Sequence, residues 1–184
     1  MNKLEGVDPN RIKICGRNSE NISEIRMNCY LFKDSLSHLS QSLDSLSKKH
    51  FRNQKNFDIL KKHDICKDHD GKFNENKYKI LCQGKSPFPY SYVTSFDVLF
   101  EKQLPSQEDF FNDLKNEPLS NEDYECANHI WKTFECKTLG DYLSIYLKLD
   151  VLLLADVMLD YSNRCGKNFC LYPEHFRLVY IIIY

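Results

Sequence analysis

The sequence predicts a mixed α+β protein, α/β-like in order, with an early β-hairpin followed mainly by helices. Two observations support this fold class: polar and apolar residues alternate between positions 11 and 33, and three helix-start signals follow position 105. The chain has 184 residues, of which 13% are aromatic. This length and composition suit one domain with an apolar core, and they exclude a disordered chain.

The alternating segments predict the sheet. Residues 11–16 alternate polar and apolar side chains, as expected of a half-buried strand, and residues 24–33 alternate again. The intervening residues 18–21 (Asn-Ser-Glu-Asn) have the composition of a turn. An antiparallel hairpin of two strands is the simplest interpretation.

The middle of the chain changes its periodicity. Leucines recur every three or four positions from Leu36 to Leu46, which predicts a helix. Residues 51–80 are polar and rich in lysine, and we interpret 51–105 as a polar insertion of short helix and loop within the domain. Pro87 and Pro89 push the residues before them out of the α region, so this part is predicted to be extended.

Three hydroxyl residues each precede an aspartate by three positions, a pattern typical of a helix N-cap. The pairs are Ser106 with Asp109, Ser120 with Asp123, and Thr138 with Asp141. Each carboxylate would also complement the helix dipole. These signals predict helices at about 106–116, 120–135 and 138–165, and Gly166 is the expected stop of the last.

Charge and hydropathy limit the class of protein. The 25 Lys and Arg residues nearly balance the 26 Asp and Glu residues, so any nucleic-acid contact is expected to be local. No apolar run approaches the ~20 residues of a membrane span, and the N-terminus has no signal sequence. We therefore expect an intracellular protein, nuclear or cytoplasmic, with reduced cysteines and no membrane partner.

One carboxylate interrupts the apolar face of the last helix. At 100° per residue, Asp150 falls in the arc of Leu139, Tyr146 and Leu153, one turn after Tyr146. An unpaired buried carboxylate is costly, so Asp150 is expected to have a cation, a hydrogen-bond network or a metal as its partner. A salt bridge and a metal or catalytic role both remain open at this point. Asp156 and Asp160 are assigned to the solvated surface.

The segment from Tyr146 to Asp150 and beyond, Tyr-Leu-Lys-Leu-Asp-Val-Leu-Leu-Leu-Ala-Asp-Val, resembles the third exonuclease motif of family B DNA polymerases. The resemblance is closest to the protein-primed, organellar and viral branch that includes Polinton or Maverick transposons. Residues 32–36 (Phe-Lys-Asp-Ser-Leu) are similar to its phenylalanine-x-aspartate-serine segment, and residues 87–92 resemble its proline–tyrosine loop. The similarity extends over about residues 11–176.

The resemblance implies part of a 3′–5′ exonuclease domain with a ribonuclease-H-like fold, from a DNA-directed DNA polymerase that acts in DNA replication. In that family two Mg²⁺ or Mn²⁺ ions assist hydrolysis of the terminal nucleotide. By resemblance, Asp150 is a metal-binding catalytic residue, and Tyr146 orients the attacking water or the scissile phosphate. Ser35 and Leu36 match a motif that contacts single-stranded DNA and the terminal protein. The implied partners are therefore a single-stranded 3′ end, primer-template DNA and terminal protein.

The chain also departs from the family pattern. The first two exonuclease motifs and the polymerase palm have no counterpart in it, so we expect no polymerisation and little or no nuclease activity from this chain alone. The family has a lysine before the third motif, for which Lys132 and Lys137 are candidates. The alternative to a polymerase fragment is a non-catalytic relic that binds DNA or a partner. For Ser35 the alternative is a helix cap. Tyr30 and Phe32 are assigned to core packing, with base stacking as their alternative.

Overall fold

The computed structural model describes residues 12–16, 22–27, 30–53, 56–113 and 116–173, and within them it has the expected α+β composition. The strands are β1 (Ile12–Gly16), β2 (Ile22–Met27) and β3 (Tyr30–Lys33). The α-helices are α1 (Leu43–Arg52), α2 (Asp58–Lys62), α3 (Glu75–Leu81), α4 (Asn121–Thr133) and α5 (Leu139–Phe169). Short 3₁₀ turns cover Ser35–Ser37, Asp64–Cys66, Phe96–Phe100 and Gln107–Phe110.

The chain divides into two compact units. The sheet unit comprises Met1–Ser42 with Met158–Tyr184, and the helical unit comprises Leu43–Val157. Helix α5 contributes residues to both units. In the described ranges, no helix combines the length and the apolar character needed to cross a membrane.

The sheet unit has three antiparallel strands in the order β1-β2-β3. The predicted antiparallel pairing of the first two strands is therefore confirmed. The prediction of one strand over 24–33 is wrong, because β2 ends at Met27 and β3 runs back from Tyr30. Side chains alternate through both strands, so periodicity alone does not mark the reversal. The predicted turn at 18–21 lies outside the described residues.

One face of the sheet carries two rows of apolar side chains. Direct cross-strand partners point to the same face. The register therefore forms two rows: Ile12, Met27 and Tyr30 in one, and Ile14, Ile25 and Phe32 in the other. Tyr30 is 62% exposed and Phe32 is 53% exposed, so their assignment to the core is wrong. Alternation predicts which face is apolar, but it does not reveal whether a second layer covers that face.

The leucine repeat from Leu36 to Leu46 does not form one helix. Ser35–Ser37 make a 3₁₀ turn, and α1 begins only at Leu43. The side chain of Asp34 accepts a hydrogen bond from the Leu36 amide at 3.0 Å, which fixes the first turn as a separate element. The apolar spacing continues across two elements, so it overestimates the length of the helix.

Two of the three predicted caps begin α-helices. The Ser120 hydroxyl accepts from the Asp123 amide at 3.1 Å at the start of α4. The Asp141 carboxylate accepts from the Thr138 amide at 2.9 Å at the start of α5. After the third cap, Ser106, the helix predicted over 106–116 is wrong. Only Gln107–Phe110 form a 3₁₀ turn, and Asn112 and Glu117 then pair as an isolated bridge.

Helix α5 continues past the predicted stop at Gly166 and ends at Phe169. A Cβ on Gly166 would lie 2.8 Å from Cε1 of Tyr172. The glycine therefore makes room for an aromatic ring rather than ending the helix. The left-handed residue after the helix is Cys170, with φ of 54°, and its amide donates to the Gly166 carbonyl at 3.0 Å.

Asp156 lies inside the helical unit, so its assignment to the surface is wrong. Its side chain is buried, and its two carboxylate oxygens accept from the amides of Ile59 and Leu60 at 2.8 and 2.9 Å. These are free amides of the first turn of α2, which a carboxylate satisfies well. The periodicity of α5 cannot reveal this role, because the partners come from a distant part of the sequence.

Candidate functional site

The candidate site is built on one face of α5 in the helical unit. Tyr142, Tyr146 and Asp150 are spaced four residues apart, so they follow one another along that face. Tyr142 and Tyr146 are buried, whereas 25% of the Asp150 side chain is exposed. Residues 85–90 (Lys-Ser-Pro-Phe-Pro-Tyr), here called the proline segment, contact all three side chains.

Tyr142 fixes the start of the proline segment. Its hydroxyl donates to the carbonyl oxygen of Pro87 at 2.7 Å. The Ser86 hydroxyl lies 2.7 Å from the Tyr142 oxygen. Since the only proton of Tyr142 is used on Pro87, Ser86 is the donor of this second bond. The Phe88 ring stacks on Tyr142 with centroids 6.3 Å apart, and it lies 5.2 Å from the Tyr146 ring.

Tyr146 contacts the end of the proline segment. Its hydroxyl forms a hydrogen bond with the hydroxyl of Tyr90, and the two rings meet edge to face at 5.9 Å. Burial raises the pKa of Tyr146, and the bond to Tyr90 and the negative charge of Asp150 raise it further. Tyr146 is therefore a neutral phenol near neutral pH and can donate a hydrogen bond, but it does not act as a base. Tyr90 itself is 65% exposed.

Lys85 provides the partner that the sequence predicts for Asp150. Its Nζ lies 3.0 Å from Oδ2 of Asp150 and 5.1 Å from the centroid of the Tyr146 ring. The other carboxylate oxygen, Oδ1, is buried and has no hydrogen-bond partner among the described residues. The sequence leaves a cation, a hydrogen-bond network and a metal open as the partner of Asp150. In the structure Asp150 is paired with a cation, Lys85.

A glycine positions Lys85. Gly84 has φ of +142°, a backbone conformation that residues with a Cβ rarely adopt. A Cβ there would also lie 3.3 Å from two carbons of the Lys48 side chain on α1. The chain therefore passes close to α1 at Gly84 and turns so that the next side chain reaches Asp150.

Lys85 is not among the site residues predicted from the sequence. Lys132 and Lys137 are the predicted candidates for the family's lysine, but in the helical unit the cation paired with Asp150 is Lys85. Lys137 instead begins α5, where its amide donates to Asp141. The signal in the sequence that could have indicated Lys85 is its position, two residues before the proline–tyrosine loop at 87–92.

Ser35 and Leu36 belong to the sheet unit, so the structure describes them separately from Tyr146 and Asp150. The Ser35 carbonyl accepts from the amides of His38 and Leu39 at 3.0 and 2.9 Å. Asp34 is the N-cap of this turn, so the alternative of Ser35 as the cap is wrong. The Leu36 side chain is 61% exposed.

The described residues do not form a complete metal site. No group of three or more His, Cys, Asp or Glu side chains that could hold a metal ion is present in those ranges. Asp150 alone contributes one carboxylate, and one of its oxygens is paired with Lys85. Mg²⁺ requires near-octahedral oxygen coordination, and catalysis with two metals requires several carboxylates. No hydrolytic step can therefore be derived from these residues.

Comparison of the chain with protein-family models, with curated proteins and with solved structures found no match.

Proposed function

We propose that this chain forms the later part of the 3′–5′ exonuclease region of a protein-primed family B DNA polymerase, with a partial ribonuclease-H-like fold. One observation carries the proposal. The proline segment and the Tyr146–Asp150 helix resemble two motifs of that family, they lie more than 50 positions apart, and they contact each other. Contact between two segments that each resemble the same enzyme is expected if they share a site.

The site offers groups suited to the 3′ end of a single strand. The Lys85 ammonium can contact a phosphate, and the exposed Tyr90 ring can stack on a base. The neutral Tyr146 phenol can donate to a phosphate oxygen or a water. Ser35 and Leu36 are proposed to contact the strand and the terminal protein elsewhere on the chain.

Asp150 is the residue proposed to bind Mg²⁺ or Mn²⁺ in the complete enzyme. Its unpartnered Oδ1 is a hard oxygen ligand of the kind these ions prefer. When bound, the ions would supply the charge stabilisation needed for phosphodiester hydrolysis. Among the described residues Asp150 is not part of a group of three or more side chains that could hold a metal ion. We therefore assign substrate positioning to this chain and expect no hydrolysis by the chain alone.

Anisotropy with a labelled single-stranded oligonucleotide tests the substrate-positioning role. We expect Tyr90→Ala to weaken binding by about tenfold, which is the effect of losing one base stack. Phe96→Ala is the matched control, because Phe96 is an aromatic residue that is 85% exposed and lies outside the proline segment, on the 3₁₀ turn Phe96–Phe100. An equal loss in both variants would contradict a specific role for Tyr90.

A nuclease assay tests the expected lack of hydrolysis. The purified chain is incubated with a single-stranded oligonucleotide and Mg²⁺ or Mn²⁺, and the length of the product is measured. No shortening is expected from the wild type or from Asp150→Ala. Shortening by the wild type that Asp150→Ala abolishes would show that the chain contains a complete nuclease site.

The second candidate function is a non-catalytic module that binds DNA or a partner. The Lys85–Asp150 ion pair favours it, because the lysine already neutralises the carboxylate. Binding of Mn²⁺ separates the two candidates. The exonuclease proposal expects Mn²⁺ to tighten oligonucleotide binding in the wild type but not in Asp150→Asn. The binding module expects no effect of Mn²⁺, no effect of Asp150→Asn and weaker binding in Ser35→Ala.

A further inference from the structure

The helical unit carries two segments of opposite charge that the net charge of −1 conceals. Residues 48–79 contain ten Lys and Arg against five Asp and Glu. Residues 97–125 contain nine Asp and Glu against two Lys. Charges separated in this way set local potentials, which determine the partners that a surface attracts.

The basic residues lie on elements that contact one another. At the end of α1, His50 Nε2 lies 3.1 Å from the Asn56 carbonyl oxygen, and the His50 ring packs on Phe57 at 4.6 Å. At the end of α2, Lys61 Nζ lies 5.3 Å from the centroid of the Phe73 ring. The end of α1, helix α2 and the turn at 67–73 therefore form one continuous surface, here called the basic surface.

Several cations on the basic surface are exposed and form no ion pair with the described residues. They are Lys49, Arg52, Lys62 and Lys72. By contrast, two lysines of the same region form ion pairs: Lys48 with Asp44, and Lys67 with Asp64. Two exposed aromatic rings are sequence neighbours of these cations: Phe51 precedes Arg52 and is 47% exposed, and Phe73 follows Lys72 and is 41% exposed.

We propose that the basic surface binds the backbone of a single-stranded nucleic acid. Unpaired cations match phosphates in charge, and exposed rings beside them can stack on unpaired bases. The rings favour a single strand over a duplex, whose bases are already stacked. None of these residues belongs to the proline segment or to the Tyr146–Asp150 pair, so the proposal does not depend on the exonuclease function.

The position of α1 relates the two sites. The packing of Gly84 against Lys48 places α1 next to Lys85. From Lys48, α1 continues for four residues, about 6 Å, to Arg52. A strand whose end lies at Asp150 would therefore meet the basic surface within a few nucleotides.

The experiment compares two triple variants of the chain by anisotropy over a range of salt concentrations. In the test variant, Lys49, Lys62 and Lys72 are replaced by Gln. In the control, Lys102, Lys148 and Lys167 are replaced by Gln, which removes the same charge from exposed positions elsewhere. The probes are a single-stranded oligonucleotide and the matching duplex, both without divalent ions.

We expect the test variant to bind the single strand at least about tenfold more weakly at low salt. Its slope of log affinity against log salt should be less steep by about 2, because three phosphate contacts are lost. The control should bind as the wild type does. Since neither triple variant changes Asp150, Lys85 or Tyr90, this comparison tests the basic surface whether or not the exonuclease proposal holds.

Three results would overturn the proposal. The first is an equal loss in the test and control variants, which would mean that total charge alone determines binding. The second is tighter binding of the duplex than of the single strand. The third is no oligonucleotide binding together with salt-sensitive self-association, measured by light scattering, which would show that the acidic segment of a second copy occupies the basic surface.

Discussion

The ammonium of Lys85 lies 3.0 Å from the carboxylate of Asp150, a residue 65 positions further along the chain. Lys85 is held by the turn at Gly84, and Asp150 by the packing of α5. The side chains are 34% and 25% exposed, so solvent screens the pair only in part. The pair therefore links the proline segment to α5 by charge as well as by aromatic packing.

A double-mutant cycle measures this link. We expect Lys85→Met to reduce the free energy of unfolding by about 1–2 kcal/mol, because Asp150 loses its cation while its Oδ1 stays buried. In Lys85→Met/Asp150→Asn the loss should be smaller than the sum of the single losses, with a coupling of about 1 kcal/mol. Urea denaturation gives the free energies of unfolding.

Lys79→Met, which breaks an exposed pair with Glu75, is the control and should change the free energy of unfolding by less than about 0.5 kcal/mol. Additive effects of the two changes would contradict the link.

Asp156 should be among the most sensitive polar residues of the helical unit. Asp156→Ala leaves two amides of α2 without their acceptor, so we expect a loss of about 3 kcal/mol in the free energy of unfolding. Asp160→Ala, on the same helix, should cost less than about 1 kcal/mol, because Asp160 forms an i,i+4 pair with an exposed arginine. Similar losses in both variants, measured by thermal or urea unfolding, would contradict the capping role.

The cap of α5 should make stability depend on pH in the acid range. Hydrogen bonds from the amides of Lys137 and Thr138 lower the pKa of Asp141 below its ordinary value of 3.8. The contribution of a lowered pKa is complete above the unfolded value, and it is lost as the pH falls through the folded value. Asp141→Asn should therefore be about 1 kcal/mol less stable than the wild type at neutral pH, and the difference should shrink below about pH 4. A difference that is constant with pH would count against this account.

Buried thiols should resist alkylation and disulfide exchange in the folded chain. Burial raises the pKa of Cys66 and Cys136 to about 11 and that of Cys82 to about 12. Since the thiolate is the reactive form, these three cysteines should react with a disulfide reagent at about pH 8 only after unfolding. The exposed Cys170 should react in the native state and serves as the internal reference. Rapid labelling of Cys82 before Cys170, read by mass spectrometry of peptides, would contradict this order.

The sequence is most informative where local chemistry decides the structure. The caps at Ser120 and Thr138 were predictable because a hydroxyl and a carboxylate three positions apart act on neighbouring amides. The existence of a partner for Asp150 was predictable, since a carboxylate on an apolar face needs one, but the kind of partner stayed open. Its identity was not predictable from periodicity, because Lys85 reaches Asp150 only after the chain turns at Gly84.

Errors occurred where a local pattern has more than one outcome. Alternation continues through β2 and β3, so it could not mark where the chain reverses. Glycine is a common helix stop, but at Gly166 the absence of a side chain instead leaves space for the ring of Tyr172. Ser106 does cap a turn, since its amide donates to Asp109 at 2.9 Å, but the turn ends at Phe110 and the chain then forms a bridge between Asn112 and Glu117. In each case tertiary contacts determined which outcome occurred.

The capping of α2 by Asp156 also affects the order in which the molecule can fold. The carboxylate and the amides it binds are 96 and 97 positions apart, so this contact closes one of the longest loops in the helical unit. Closure of a long loop lowers the entropy of the chain before the hydrogen bonds form, so contacts between distant positions slow folding. During synthesis, the start of α2 must remain uncapped until nearly one hundred further residues have been made. We therefore expect α2 to gain hydrogen-exchange protection only after α5 has formed, even though it precedes α5 in the chain.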